Sequence, residues 1–539
     1  MERTKKTIKR IVDWIGDNQF LTLVLILAVD LSLKLAYLPI HYNRQGTTSL
    51  TFDGYAYLLK SLEITRGNFL PMRTHAIGWP LAVAPIFRLI NEPSIFVNMF
   101  YAQLVNIAIG SLIIFLVYLI ARQLLSEKWA LVAVTLTTFS FWFLFSTLGF
   151  YAEPLFTALF LLSIYYLIKG IDQPKLIPLT AILAALTYWL KPTGILILPI
   201  ILLTIWFLRK SIPGFSYWLL LGVIIIFSAV SAPFLYQRYL HFGSPFFYGE
   251  NSRYFVDNYE QLWNKTQSPV SFAQYLVNHN TLRDYLNRFL IRGLGGTIFT
   301  LIYVTLPLSI FSLWGMLQIN RRRMLPIGLA LIVWVIAFMP IYDIYIAPRH
   351  FFHLIPLMAI TATAGIAFFV KDHPYRYFLT AMVILLSLLS LGVSFIYPEF
   401  YFIRKRPVAE VKFGRWVAGN IRGKMAIAFG GDYIMMNLPD TTVAKAGLFD
   451  MSAPRSGLSL VYPGHFTDPD KLVKWLKDNR ISYLAIDKDY LDPYRNRLYI
   501  YKGKTLPQNL TKIYHDYDTD SSWEVELYKL SNGKLINEK

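Results

Sequence analysis

The chemistry this sequence could perform is concentrated in a few charged residues set among apolar runs. Asp53 lies in Thr51-Phe52-Asp53-Gly54-Tyr55-Ala56-Tyr57-Leu58, directly after the first apolar stretch, and Glu153 lies in Gly149-Phe150-Tyr151-Ala152-Glu153-Pro154-Leu155-Phe156. A carboxylate at the rim of an apolar bundle can take the proton of a nucleophile as general base. The bland alternative is that each acid starts a helix, accepting backbone N–H bonds and facing the positive end of the dipole. The two readings are compatible, because a capping carboxylate is kept ionised. An acid at membrane depth is costly to retain and points to function by default.

Cationic and aromatic residues accompany these acids. Tyr57 and Lys60 follow Asp53 by about one and two helical turns along one face. His75, in Arg73-Thr74-His75-Ala76-Ile77-Gly78-Trp79-Pro80-Leu81, could orient a substrate or bind a metal, although a lone His is more often structural. Lys191, in Trp189-Leu190-Lys191-Pro192-Thr193-Gly194, and Arg349-His350, in Tyr345-Ile346-Ala347-Pro348-Arg349-His350-Phe351-Phe352, stand at helix ends. They either snorkel to lipid phosphates or clamp a lipid-linked phosphate, a group that the Arg fork fits in bidentate fashion. Arg238, Tyr239, His241, Tyr248, Arg253 and Tyr254 fall in a long connection, 235–295, whose composition suits a sugar–phosphate site or an interfacial loop.

The elements that must position these residues are membrane helices. The 539-residue chain is 55% hydrophobic and only 16% charged, where soluble proteins lie near a quarter charged. Runs long enough to span recur at about 20–40, 95–120, 129–147, 154–168, 176–190, 194–208, 215–234, 296–318, 324–341, 350–370 and 377–397, with 79–90 a further span or a re-entrant piece. The fold class is therefore a polytopic α-helical membrane protein of about 11–13 transmembrane helices, followed by a soluble α/β domain. The basic start, Met1 to Arg10, precedes the first span without a small-residue cleavage site and reads as a retained anchor.

With the N-terminus in the cytoplasm, the inner connections hold Arg122 and Lys128, Lys169 and Lys175, Arg209 and Lys210, Arg321-Arg322-Arg323, and Lys371 and Arg376. The short outer connections are nearly free of basic residues, as the positive-inside rule requires. This orientation puts loop 41–78, loop 235–295 and everything after 398 outside a plasma (inner) membrane. Residues 1–397 form the transmembrane domain and 398–539 an extracytoplasmic α/β domain, with short β-type runs near 425–429, 482–486 and 523–528 and an amphipathic helix over 468–479. The net charge of +19 reads as loop residues facing anionic lipid heads, with no nucleic-acid partner. Cys is absent, so there are neither disulfides nor thiolate metal sites.

Inside the first span, Asp30 and Lys34 at i, i+4 can neutralise one another while Lys34 snorkels outward, and the pair reads as structural. No Walker or Rossmann glycine pattern is present. An outward-facing enzyme would then need an activated substrate delivered on a lipid.

The order of these motifs resembles the GT-C superfamily of membrane glycosyltransferases. It is most similar to the dolichyl-phosphate-mannose–protein mannosyltransferase family and the lipid A aminoarabinose transferases, over roughly residues 20–370. The motifs are the first-loop acid with an aromatic-rich helix, Trp79-Pro80-Leu81, Tyr151-Ala152-Glu153-Pro154, Leu190-Lys191-Pro192-Thr193-Gly194 and Arg349-His350-Phe351. The resemblance implies transfer of one sugar, with inversion, from a polyprenyl-phosphate donor to a hydroxyl of a lipid, glycan or protein acceptor. It assigns Asp53 as base and Glu153 as the second acid. It assigns the departing phosphate to Lys191, Arg349 and an Arg of the 235–295 connection, and the full set of candidate substrate contacts is Tyr57, Lys60, His75, Lys191, Arg238, Tyr345, Arg349 and His350. No cofactor is required, and a divalent cation is compatible. The chain departs from the family where Gly54 replaces a second acid, Trp79-Pro80 replaces a Pro-Pro pair and His350 replaces an aromatic. It lacks the Trp-Trp-Asp-Tyr-Gly signature of oligosaccharyltransferases. A transporter or flippase with an outer sugar-binding domain, and a non-catalytic envelope scaffold, are the competing readings. A transporter would show midplane charges and broken helices.

Overall fold

The computed structural model describes residues 17–44, 52–72, 75–91, 95–246, 281–305, 308–318, 320–339, 348–370, 376–396, 408–427, 442–443, 451–453, 456–461, 468–487, 509–518 and 523–531, with isolated positions between them. The N-terminal basic segment, Tyr345 and residues 247–273 of the long connection lie outside the described residues.

The bundle is built from α1 (Gln19–Arg44), α2 (Phe52–Thr65), α3 (Gly78–Ile90), α4 (Ile95–Leu124), α5 (Glu127–Thr138), α6 (Phe141–Leu148), α7 (Glu153–Asp172), α8 (Ile177–Leu190), α9 (Ile197–Phe207) and α10 (Tyr217–Phe242). It continues through α11 (Gly296–Thr305), α12 (Leu308–Gln318), α13 (Arg321–Phe338), α14 (Ile355–Val370) and α15 (Arg376–Ile396). Among the described residues, five helices are long and apolar enough to cross a membrane, and two bent pairs raise this to seven. Each apolar run in the sequence corresponds to a helix or a bent pair. Two runs are broken: 129–147 bends by 61° between α5 and α6, and 296–318 bends by 102° between α11 and α12. The run at 79–90 is the 13-residue α3. At 1.5 Å per residue it is about 20 Å long, too short for a hydrocarbon core of about 30 Å.

Helix α7 fixes the scale. Its 20 residues span about 30 Å, the thickness of that core. At its C-terminal end lies an arginine clasp. Arg322 donates to the carbonyl of Ser211 at 2.6 Å and pairs with Asp172 at 3.1 Å. Arg323 donates to the carbonyl of Gln123 at 2.9 Å and pairs with Asp172 at 3.2 Å. Guanidinium groups thus satisfy the C-terminal carbonyls of α4 and the turn after α9, where the helix dipole favours cations. The sequence reading of the Arg triplet as a topology signal alone is too narrow, since two of its side chains join three helix ends.

Within the bundle, Lys34 Nζ meets Asp30 Oδ2 at 2.6 Å, and Ser111 donates to the same oxygen at 2.8 Å. Both charged side chains are at most 1% exposed, so Lys34 does not snorkel. Its ammonium lies over the Phe143 ring at 5.1 Å and occupies the space a side chain on Gly110 would need, 2.7 Å from that missing Cβ. Backbone crossing is closest between α12 and α14: a Cβ on Gly315 would fall on the Thr361 carbonyl, and one on Gly365 would lie 2.3 Å from the Phe311 carbonyl. Small residues permit such crossings in membranes, where the hydrophobic effect does not draw helices together.

The C-terminal part forms a seven-stranded mixed sheet of β1 (Gly423–Ala426), β2 (Thr442–Val443), β3 (Met451–Ala453), β4 (Leu458–Val461), β5 (Tyr483–Asp487), β6 (Leu510–Asp518) and β7 (Trp523–Leu530). Its order is β2-β3-β4-β1-β5-β7-β6. β1 runs parallel to β4 and β5, and the other pairs are antiparallel. Helix α16 (Val408–Asn420) covers one face through Phe413 and Trp416, both packed on Tyr514. Helix α17 (Pro469–Asp478) covers the other face through Leu472 and Leu476. The amphipathic helix anticipated at 468–479 is α17, with Asp468 accepting the Asp470 N–H at 2.9 Å as its N-cap.

Removing one member of the Asp30–Lys34 pair strands a charge at membrane depth. Lys34→Met is expected to lower stability by about 3 kcal/mol or more, while the double variant Asp30→Leu/Lys34→Met recovers most of the loss. Thermal unfolding of the purified protein in detergent checks this; equal damage from the single and double variants would contradict it.

Candidate functional site

The end of the bundle opposite the arginine clasp gathers most of the residues singled out from sequence. Helix α7 starts at Glu153, which occupies its first position, with Pro154 in the first turn and Ala152 as N-cap. Pro154 is thus the second helical residue. The approach to this start is held by Asn106 of α4, a residue with no apparent role in the sequence. Its buried Nδ2 donates to the carbonyls of Gly149 at 2.7 Å and Tyr151 at 3.1 Å.

Lys191 is delivered by a sharp reversal. Helix α8 ends at Leu190, Lys191 takes an extended backbone conformation, and Pro192 starts a 3₁₀ turn over Pro192–Leu196. Pro suits the first turn of a helix because it offers no N–H there. A Cβ on Gly194 would lie 2.5 Å from the Tyr188 nitrogen, and one on Gly78 would lie 2.5 Å from the Trp189 carbonyl. Both glycines therefore mark backbone contacts that hold the end of α8 in place. Trp189 Nε1 donates to the Val230 carbonyl at 3.0 Å and fastens α8 to α10.

The result is an ion pair between residues 38 positions apart: Lys191 Nζ donates to Glu153 Oε1 at 2.9 Å. The two side chains are 16% and 9% exposed. The carboxylate stands at the positive end of α7 and the ammonium at the negative end of α8, so both dipoles reinforce the pair. Beneath it, Lys191 Nζ lies 5.8 Å from the centre of the Phe156 ring. Phe156 and Phe160 pack edge-on against His353, at 5.2 and 5.0 Å, and Trp334 lies 4.2 Å from the same imidazole. His353 belongs to the 3₁₀ segment Pro348–Leu354, which also carries the half-buried Arg349 and His350. His350 packs on Phe338 at 5.4 Å. His353 was not among the residues selected from sequence. The signal for it was the His350-x-x-His353 spacing, which places both on one face at three residues per turn.

The remaining candidates make contacts of their own. Tyr57, buried on α2, makes an edge contact with His75 at 5.0 Å. Lys60 is buried too, but its ammonium is engaged by Glu63 at 2.8 Å. Arg238 does not lie in a loop: α10 continues to Phe242, and Arg238 is fully buried on it. It donates to the Met72 carbonyl at 2.8 Å and faces the Phe234 and Phe242 rings, bracing the segment before α3. The long connection accordingly begins at Gly243, whose φ of 71° ends α10. Asp53 lies in the first turn of α2, a helix that ends before Gly67 with φ 87°; its side chain, and Tyr345, are outside the described residues.

Comparison with known proteins bears on this arrangement. A family model described as dolichyl-phosphate-mannose-protein mannosyltransferase matches residues 80–236, the stretch that contains Glu153 and Lys191. No curated protein matches the sequence. Among solved structures, ArnT from Cupriavidus metallidurans bound to undecaprenyl phosphate is similar with a TM-score of 0.50 at 13% identity, covering 94% of this chain and 97% of that one. The archaeal oligosaccharyltransferase AglB from Archaeoglobus fulgidus, in complex with an inhibitory peptide and a dolichol-phosphate, is similar with a TM-score of 0.54 at 14% identity, covering 97% and 76%. The same archaeon's oligosaccharyltransferase tethered to an acceptor peptide gives 0.57 at 13% identity, covering 96% and 75%. The chain has the GT-C fold: a multi-helix membrane bundle followed by a domain with a small sheet.

Glu153→Gln and Lys191→Met are each expected to destabilise the protein by about 3 kcal/mol, and the double variant by clearly less than their sum, with a coupling of about 1–3 kcal/mol. A double-mutant cycle on unfolding midpoints measures it. Strict additivity would mean that the ion pair does not hold the two helix ends together.

Proposed function

We propose that this chain, with its GT-C fold, is an inverting glycosyltransferase of the outer membrane face that moves one sugar from a polyprenyl-phosphate donor to an acceptor hydroxyl. The observation that carries this reading is the Glu153–Lys191 pair, set at the bundle end opposite the arginine clasp. It is supported by the family model over residues 80–236 and by the prenyl-phosphate-bound and dolichol-phosphate-bound relatives of the same fold. The clasp end carries the basic connections, so the positive-inside rule directs it to the cytoplasm and the acids outward. Residues 1–397 then form the catalytic membrane domain of a plasma-membrane protein, and 398–539 an extracytoplasmic domain.

In this mechanism Asp53 takes the acceptor O–H proton as the acceptor oxygen attacks the anomeric carbon. The bond from that carbon to the phosphate oxygen breaks on the opposite side, and polyprenyl phosphate leaves with the electron pair. Lys191 and Arg349 stabilise the charge that develops on the phosphate, an electrostatic contribution that grows toward the transition state. Phosphate so paired is a competent leaving group, and the reaction requires no cofactor. A divalent cation fits the same site chemistry, and one oligosaccharyltransferase of this fold was solved with Zn and sulfate. The acceptor is a lipid, glycan or protein hydroxyl.

A transporter reading draws on two observations, the buried Asp30–Lys34 pair and the bends of 61° and 102°. The pair is sealed by Ser111 and is at most 1% exposed, so it lines no path. Asp53→Asn separates the readings. Sugar transfer from a polyprenyl-phosphate donor is expected to fall by about 10²- to 10⁴-fold with donor binding retained. Unchanged transfer would remove Asp53 as base, and substrate flux across vesicles indifferent to Asp53→Asn would favour the transporter.

A further inference from the structure

Two polar atoms beneath the ion pair are unaccounted for by the packing. His353 is 4% exposed and Trp334 fully buried. Neither His353 Nε2 nor Trp334 Nε1 has a hydrogen-bond partner among the described residues. Their rings are in contact, with centroids 4.2 Å apart. Native proteins satisfy nearly all buried polar groups, so two orphans in one aromatic box point to an absent partner. The chemistry of that partner follows from the donors. An indole N–H can only donate, and the Nε2-protonated imidazole also donates there. The Lys191 ammonium acts electrostatically on His353 and shares the Phe156 ring with it. With His353 in its Nε2-protonated tautomer, the box offers an indole N–H, an imidazole N–H and an ammonium, a set that an oxygen-rich anion would complete. Glu153 accepts from Lys191 but not from His353 or Trp334.

We propose that His353 and Trp334 form the floor of a phosphate pocket whose upper wall is Lys191. The pocket receives the phosphate of the lipid-linked donor, and Lys191 divides its hydrogen bonds between that phosphate and Glu153. This rests on the glycosyltransferase reading and adds to it two binding residues that neither the family model match nor the sequence motifs assign. Hydrogen bonds to an ionised oxygen are short, about 2.7–2.9 Å, and roughly twice as strong as neutral ones. Loss of either floor donor should therefore weaken binding of the phosphate itself, whether or not a sugar is attached. His353 and Trp334 take no part in proton transfer.

The test is equilibrium binding of undecaprenyl phosphate to the full chain in lipid nanodiscs, with inorganic phosphate and phosphatidylglycerol in parallel. His353→Phe and Trp334→Phe keep the aromatic packing and delete the nitrogen; His353→Gln restores a donor. Each Phe variant is expected to raise the Kd for undecaprenyl phosphate about tenfold, with His353→Gln recovering part of the loss and unfolding midpoints close to the parent. In steady state, the Phe variants should raise the KM for donor with little change in kcat. Parent-like affinity in both Phe variants overturns the proposal and leaves a buried water as the missing partner. Failure of the parent protein itself to bind undecaprenyl phosphate overturns the glycosyltransferase reading together with this one. Tight binding of inorganic phosphate or phosphatidylglycerol that depends equally on His353 would show an anion site that is not selective for the prenyl carrier, and would overturn the donor assignment.

Discussion

The architecture depends on one requirement: a charge brought to membrane depth must find its opposite. Glu153 and Lys191 meet this at the rim opposite the arginine clasp, Asp30 and Lys34 within the bundle, and Arg322 and Arg323 with Asp172 at the clasp itself. The rim pair and the clasp are also joints of the fold, since each draws together separate helices, and Ser111 of α4 ties the Asp30–Lys34 pair of α1 to its neighbour. Lipid is as apolar as the helix surfaces, so burying Leu against Leu gains little there. Polar pairs and close backbone crossings supply the specificity instead. The rim pair is the most consequential because it sits where one helix begins and another ends, and both dipoles act on it in the same sense.

Much of the membrane fold was legible because length and hydropathy alone decide whether a segment can span. The break between α5 and α6 was not, since it falls at Phe139-Ser140, where no Pro or Gly marks a stop. Arg238 was misread as a loop residue because charge usually ends an apolar helix. The chain instead buries it, directing its guanidinium to the Met72 carbonyl. In the C-terminal part, α17 was readable from its Asp cap and its spacing. The strand order was not, because parallel partners such as β1 and β4 come together across long stretches of chain. The sequence offered candidate residues and no geometry for them. Nothing in sequence joins Glu153 to Lys191, or makes Asn106 the support of the chain before Glu153.

The site is rigid in some places and yielding in others. Its supports are backbone contacts at Gly78 and Gly194, which admit no side chain, and a buried amide at Asn106. The yielding part is the Lys191 side chain, a flexible stem with three donors, whose partner Glu153 is itself anchored at a helix start. Binding sites work well when fixed elements carry a single adaptable group. An ammonium can redirect its hydrogen bonds without moving any helix.

The crossing of α12 and α14 has a consequence for how this sequence can change over time. Gly315 and Gly365 touch opposing backbone directly, so even one added methyl has nowhere to go. On the other side of the same helix, Ile310, Leu313 and Leu317 are all more than two-thirds exposed and meet lipid, where one apolar side chain serves about as well as another. Drift along α12 should therefore follow a helical period, fast on the lipid face and nearly frozen at the crossing. A catalogue of natural variants would trace the contact seam without any structure at all.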